Sequence, residues 1–190
     1  MDSVLSMSNG SGSPDQWRMT GRSMMEFWSR ELATPLGDAF AEWYTARTTT
    51  RRRAPNPFLG DLAQEFSDIR IPPSESTFRP GSDVSFHADV RDPNPRNFVL
   101  VLRDAPPMRI GDIANGLAQR ALMADLLVCR GLRHPAYQQV EQTVAGHCFG
   151  YMRLLLPVAD ATGSVSRIYA FCRPLTGDVG VLQKQMVALT

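Results

Sequence analysis

The stretch Gly150–Leu175 reads GYMRLLLPVADATGSVSRIYAFCRPL. Two apolar runs flank the short polar segment Asp160–Gly163, and this pattern predicts a β-hairpin. Pairing the two runs across the middle of the polar segment sets the register of the hairpin. The resulting pairs are Met152 with Ala170, Leu154 with Ile168, and Leu156 with Ser166.

Alternation of side chains along these two strands predicts two faces of different character. One face is apolar and is predicted to belong to the core: Met152, Leu154, Leu156, Ile168, Ala170 and Cys172. The other face places aromatic rings between guanidinium groups: Tyr151, Arg153, Arg167, Tyr169, Phe171 and Arg173. This second face requires a covering element, a partner or a ligand, because large aromatic surfaces are seldom left in water.

The composition describes an ordinary globular chain. Its 190 residues are 43% hydrophobic, which suffices for a sizeable core in one domain with or without an extension. The net charge of +1 produces no field strong enough to indicate a nucleic-acid or membrane partner. The N-terminus has no signal-peptide pattern and no apolar run is long enough to span a membrane, so we expect a soluble, cytoplasmic protein.

Three cysteines, Cys129, Cys148 and Cys172, are too few and too scattered for a disulfide framework. In the assumed hairpin Cys148 and Cys172 lie near each other, so a redox pair is conceivable. The simpler interpretation is that these residues are buried and behave as small hydrophobic side chains.

The N-terminal part of the chain divides into a tail and a helical extension. Residues 1–16 are rich in Ser, Gly and Asn and are predicted to be a disordered tail. Residues 17–82 form an N-terminal helical extension and linker. From about Ser23, apolar residues recur at three- and four-residue steps and predict two helices, 22–33 and 35–48, with Pro35 opening the second after Thr34. The helices are unusually aromatic and must cover either their own sheet or that of a partner.

The linker that follows contains Arg51–Arg53, which can grip phosphate or an acidic partner but is more simply a solvated linker. Phe58–Phe66 suits a short helix. Residues 83–190 form the main domain, in which Asp83–Leu102 predicts a second hairpin around the turn DPNPRN at Asp92–Asn97.

Helices are predicted between the two hairpins. Ile110–Cys129 has apolar residues at helical steps and a broad apolar face, with Gly131 as a C-cap, so this helix is expected to be well buried. Pro135–Ala145 predicts a second helix, and a strand begins near His147. The tail Asp178–Thr190 fits a strand, a helix or one of each.

In its order of hairpin, helices and hairpin, the chain resembles the PAS domains, and within them a divergent bacterial single-PAS group. The resemblance is carried by FHADVRDPNPRNFVLV at Phe86–Val101, HPAYQQV at His134–Val140 and YMRLLLPVADATGSVSRIYAF at Tyr151–Phe171. It implies an α+β fold, with an antiparallel PAS-like sheet, helices on one face and an N-terminal helical segment against the other. It also implies a sensory or regulatory role. The family's haem histidine or flavin-reactive cysteine is not recognisable here.

Catalytic motifs are lacking: the sequence has no phosphate loop, nucleophile elbow or zinc spacing. The expectation is therefore a non-catalytic signalling module, not an enzyme, that acts through association with itself or with a regulatory protein. Its predicted interaction surface is Phe27, Trp28, Phe40, Trp43, Tyr151, Arg153, Tyr169 and Phe171.

Two alternatives remain open, and no cofactor or metal is predicted. The first is a sensor that binds an unidentified small molecule between sheet and helices, with a pocket lined by Phe98, Leu100, Leu117, Leu126, Met152, Leu154, Ile168 and Ala170. The second, for which the charge gives little support, is a nucleic-acid-associated regulator using Arg47 and Arg51–Arg53.

Overall fold

The computed structural model describes residues 3–6, 16–48, 72–81, 84–103, 105–144 and 147–175. Within these ranges the chain forms one antiparallel sheet of eight strands and three α-helices. The strands are β1 (Ser3–Ser6), β2 (Gln16–Arg22), β3 (Phe86–Asp89), β4 (Val99–Leu102), β5 (Met108–Arg109), β6 (Ala136–Val144), β7 (His147–Ala159) and β8 (Val165–Pro174). The helices are α1 (Met24–Glu31), α2 (Pro35–Thr48) and α3 (Gly116–Leu132), with short 3₁₀ turns at Pro95–Asn97 and Ile110–Asp112.

The strand order is β1-β2-β6-β7-β8-β3-β4-β5. The hairpin of β3 and β4 pairs with the last strand, β8, so that the first and last hairpins of the main domain are neighbours. Helices α1 and α2 cover the strands β6–β8 on one face, while α3 packs on the opposite face. The predicted α+β class is confirmed: an antiparallel sheet carries α3 on one face and the N-terminal helices on the other.

The two N-terminal helices begin and end close to the predicted residues. Ser23 and Glu26 form a reciprocal capping box at the start of α1, which satisfies two backbone amides that the first turn leaves free. Proline is compatible with the first position of α2, where no intrahelical amide bond is needed. Gly37 lies against the carbonyl of Glu31, where a Cβ atom would clash, so a glycine is required at this corner.

The register of the C-terminal hairpin differs from the prediction. Met152 lies opposite Arg173 rather than Ala170, and Leu154 opposite Phe171 rather than Ile168, a shift of three residues. The turn extends from Asp160 to Ser164, with Gly163 in the left-handed region at φ 82°, and a bulge follows Val158. Both strands carry large apolar side chains on both faces, so alternation did not determine their register.

An odd shift exchanges the two faces of one strand relative to the other. Met152, Leu154 and Leu156 therefore share a face with Tyr169 and its neighbours, and the predicted division into core and outer faces is wrong. The face under α1 and α2 carries Met152, Leu154, Leu156, Tyr169, Phe171 and Arg173. The face under α3 carries Tyr151, Arg153, Leu155, Ile168, Ala170 and Cys172.

The helix predicted over Pro135–Ala145 is instead the strand β6, which is paired along both edges, with β2 and with β7. Glutamine-rich segments have good intrinsic helix propensity. Here the tertiary context overrides it, because both strands offer a continuous ladder of backbone hydrogen bonds.

The helix predicted over Ile110–Cys129 begins later and ends later than expected. A 3₁₀ turn occupies Ile110–Asp112, and Asn115 caps α3 by accepting hydrogen bonds from the amides of Leu117 and Ala118. Arg133, rather than Gly131, is the left-handed C-cap, with φ 60°.

The N-terminal segment contributes strands as well as helices. β1 lies within residues 1–16, for which a disordered tail is predicted, and it pairs with β2 at the edge of the sheet. β2 continues the sheet beside β6. The predictions for Arg51–Arg53, for the Phe58–Phe66 helix and for Asp178–Thr190 lie outside the described residues.

Candidate interaction site

The aromatic residues of α1 and α2 cover the chain's own sheet. Phe27, Phe40 and Trp43 are fully buried against β6–β8. The indole Nε1 of Trp43 donates a hydrogen bond of 2.7 Å to the carbonyl oxygen of Pro157. The members of the predicted interaction surface that meet in this cluster are Phe27, Phe40, Trp43, Tyr169 and Phe171, with the half-buried Trp28 packed against them.

A buried carboxylate attaches the end of α1 to the sheet. Glu31 accepts hydrogen bonds from Arg173 Nε at 3.1 Å and Nη2 at 2.6 Å, and from Tyr137 Oη at 2.7 Å. Thr34 Oγ1 donates a further bond of 2.8 Å. Burial raises the pKa of Glu31, but these hydrogen bonds outweigh that effect and hold the pKa below its usual value. Glu31 is therefore charged at neutral pH and fixes α1 in place.

Arg153 and Tyr151, the other two predicted interaction residues, lie on the opposite face under α3. Arg153 is 1% exposed and forms an ion pair with Asp125 of α3, which is 3% exposed. The Arg153 guanidinium also donates to Gln138 Oε1 from Nε at 3.0 Å and from Nη2 at 2.7 Å. Gln138 Nε2 in turn donates to Asp125 Oδ1 at 3.4 Å. These three side chains join α3 to β6 and β7 in a closed buried network.

The predicted pocket residues do not form one group. Phe98, Leu100, Leu126, Ile168 and Ala170 lie together in the cluster between α3 and the sheet. Leu117 belongs to an adjoining cluster with Val140 and Tyr151. Met152 and Leu154 lie on the other face under α1 and α2, as the observed register requires.

The outer face of α3 carries an apolar stripe, defined by Ala124, Leu127, Val128, Gly131 and Leu132. The side chains of Leu127, Val128 and Leu132 are 41%, 56% and 52% exposed. Ala124 and Gly131 are exposed as well, and a Cβ added at Gly131 would meet nothing within 4 Å. The prediction that this helix is well buried is therefore wrong on its outer face, because among the described elements the sheet packs against α3 on one side and nothing covers the other.

The thiols and the imidazole of His87 lie in separate environments. Cys148 is exposed and faces Thr143, whereas Cys172 faces Arg153 further along the same hairpin, so the conceivable Cys148–Cys172 pair does not form. Burial raises the pKa of Cys172 to about 11, although Arg153 opposes the shift. Burial and the nearby Arg167 lower the pKa of His87.

In the described ranges no group of three or more His, Cys, Asp or Glu residues is arranged to hold a metal ion. The helices of this part of the chain are all too short or too polar to cross a lipid bilayer.

Few known proteins are similar to this chain. No family model and no curated protein matches the chain. One solved structure that does match is described as the "Structure of an RNA-binding Light-Oxygen-Voltage Receptor". The match has 10% identity and a TM-score of 0.35, and it covers 100% of this chain and 82% of that one. A similarity at this level carries no argument about function, and the fold assignment rests on the strand order described above.

Sequence reasoning missed the partners that complete these sites. Asp125 is a single acid within the apolar run of α3, and such an acid is a signal for a buried ion pair. Glu31 likewise lies within the apolar stripe of α1. Gln138 carried no comparable signal, because its role depends on β6 being a strand.

Proposed function

We propose that this chain is a non-catalytic, PAS-like regulatory module that acts through protein association. Its association surface is the apolar stripe of α3 rather than the aromatic residues of α1 and α2. Those aromatic residues are occupied by contacts within the chain and are not free for a partner.

The observation that carries the proposal is the exposure of Leu127, Val128 and Leu132 on one face of a single helix. Contiguous apolar surface of this kind is typical of protein interaction sites, whereas single exposed apolar residues are ordinary. The opposite side of α3 is held by the buried pair of Asp125 and Arg153, so the stripe is presented in a fixed orientation. A rigid surface loses little conformational entropy on binding.

The test compares the full chain with two arginine variants, Val128→Arg in the stripe and Met25→Arg on α1. Met25 is 63% exposed and is therefore a matched control outside the stripe. Each tagged protein is incubated with cell lysate that also contains an untagged copy, and the bound proteins are quantified by mass spectrometry.

We expect at least one protein to bind the wild type and the Met25→Arg variant and to be lost from the Val128→Arg variant. The untagged copy counts as such a protein. The same bound set on all three chains, or nothing above bare resin, would overturn the proposal. Circular dichroism of the three proteins checks that each is folded.

A further inference from the structure

We infer that α3 pairs with α3 of a second copy of this chain, antiparallel, about a two-fold axis that passes between Leu127 and Val128. This inference rests on the proposed function and names its partner. It goes beyond the exposure of the stripe because it depends on the order of residues within it.

Four of the five residues of the stripe are arranged symmetrically about its centre. Ala124, Leu127, Val128 and Gly131 follow each other at steps of three, one and three residues, which places them on one face of the helix. In a two-fold interface, residue i contacts residue j and j contacts i. With the axis between Leu127 and Val128, Leu127 of one copy faces Val128 of the other. Ala124 of one copy likewise faces Gly131 of the other.

The two small residues of the stripe, Ala124 and Gly131, allow the two helices to pack closely. The distance between packed helices is about 8–10 Å and depends on the side chains at the contact. Ala124 and Gly131 flank the central Leu127 and Val128, so both backbones can approach on either side of the axis. Leu132 is 52% exposed and extends the apolar contact at each end, whereas its counterpart in this register, Met123, is half-buried against the cluster between α3 and the sheet.

Charges on α3 do not prevent this pairing, but they affect its strength. In this register Arg120 of one copy and Arg133 of the other lie at the same end of the helix pair. Arg133 Nη2 donates a hydrogen bond of 2.6 Å to the carbonyl oxygen of Gly163, which holds this guanidinium at the turn between β7 and β8, and Nη1 of Arg120, one turn before the stripe, lies over Gly116. The remaining repulsion is screened by salt.

The size of the contact indicates a reversible dimer. A helix of 17 residues is about 25 Å long, so one face of it contributes less than the roughly 800 Å² per partner of a standard interface. Interfaces of this smaller class are typical of transient complexes. Dimerisation is therefore expected to depend on protein concentration.

The first experiment is sedimentation equilibrium of the purified full chain, the Val128→Arg variant and the Met25→Arg variant over a range of protein concentrations. We expect the wild type and Met25→Arg to dimerise reversibly. Val128→Arg is expected to lower the association constant at least about tenfold, because each dimer would bury two unpaired charges. Raising the salt concentration should strengthen the dimer.

The second experiment tests the register by cysteine cross-linking in a Cys148→Ser background, which removes the exposed native thiol. Under mild oxidation, a mixture of Ala124→Cys and Gly131→Cys chains should form a cross-linked dimer. Neither variant should form a cross-linked dimer by itself. In this register the same position in the two copies is displaced by seven residues, or about 10 Å, along the antiparallel helix pair.

A wild type that stays monomeric at all concentrations would overturn the inference, as would dimers that form equally well with Val128→Arg. The same conclusion follows if Ala124→Cys cross-links as well by itself as in the mixture. A different protein that binds the stripe, or another part of the same chain seated on it, would leave the purified protein monomeric. In that case the lysate experiment decides separately whether the proposed function stands.

Discussion

The indole of Trp43 donates a hydrogen bond to the carbonyl oxygen of Pro157, 114 residues further along the chain. This contact joins α2 to the long strand β7 near its C-terminal end. Proline has no amide hydrogen, but its carbonyl still requires a donor when it is buried. The bond therefore orients the largest side chain of the α1–α2 layer and shows that this layer covers its own sheet.

Replacing Trp43 tests this intramolecular cover. Trp43→Ala removes a fully buried side chain and should lower the free energy of unfolding by about 3–5 kcal/mol. For a chain of this length, that corresponds to a fall in melting temperature of roughly 10 °C. Trp28→Ala is the matched control and should cost less, because Trp28 is only half-buried. Thermal unfolding by circular dichroism measures both, and an unchanged midpoint for Trp43→Ala would contradict the packing.

The buried pair of Asp125 and Arg153 should behave as a unit. Asp125→Leu leaves an uncompensated guanidinium in the core and should cost about 3–5 kcal/mol. Adding Arg153→Met should restore much of this loss, because two apolar side chains leave no buried charge. Urea unfolding of the two single variants and the double variant measures the coupling. If the losses simply add, the two side chains do not interact.

The exposed ion pair of Asp89 and Arg91 is the control for the comparison of the Asp125 and Arg153 variants. Arg91 is 61% exposed at its side chain, so water screens the pair and Asp89→Asn should change the unfolding midpoint little.

Glu31 should give the protein a stability that is lost in acid. Its pKa is lowered in the folded state from the reference value of 4.5, so the unfolded chain binds its proton first as the pH falls. The stabilisation is present above about pH 4.5 and disappears as the pH drops through the lower folded-state pKa. Urea midpoints measured between pH 7 and pH 3 should show this loss.

The Glu31→Gln variant isolates this contribution. At pH 7 it should be less stable than the wild type by about 1–2 kcal/mol, because the partly exposed Arg173 loses its charged acceptor. The free energies of unfolding of the wild type and the Glu31→Gln variant should converge as the pH falls. Asp89 and Asp160, whose pKa values are also lowered, titrate equally in both and cancel in the comparison. A constant difference at every pH would contradict the assignment.

The three thiols should differ in reactivity. Cys148 is exposed, whereas Cys129 is buried with its Sγ 3.6 Å from the carbonyl of His134, and burial raises the pKa of both Cys129 and Cys172. Only the thiolate reacts readily with a disulfide reagent. At pH 8 the folded protein should therefore show one fast thiol, which Cys148→Ser removes, and three in denaturant. Fast reaction of a second thiol would contradict the placement of Cys172.

Local patterns in the sequence determined most of the elements. The two N-terminal helices were predictable because capping residues and an aromatic stripe of helical period coincide over Ser23–Trp43. Both hairpins of the main domain, and hence the α+β class with its PAS-like order, followed from apolar runs around turn residues. These features depend on neighbours within a few positions, and that is the range over which sequence patterns are informative.

Tertiary structure decided the rest. The register of β7 and β8 depended on a bulge and a five-residue turn, and both strands are covered on both faces, so no polar face could report the shift. β6 is a strand because two partners pair with it, and Leu127 and Val128 are exposed because none of the described elements packs on the outer side of α3. The sequence alone thus specified which segments form helices and hairpins, whereas long-range pairing decided which side chains are buried and which remain available to a partner.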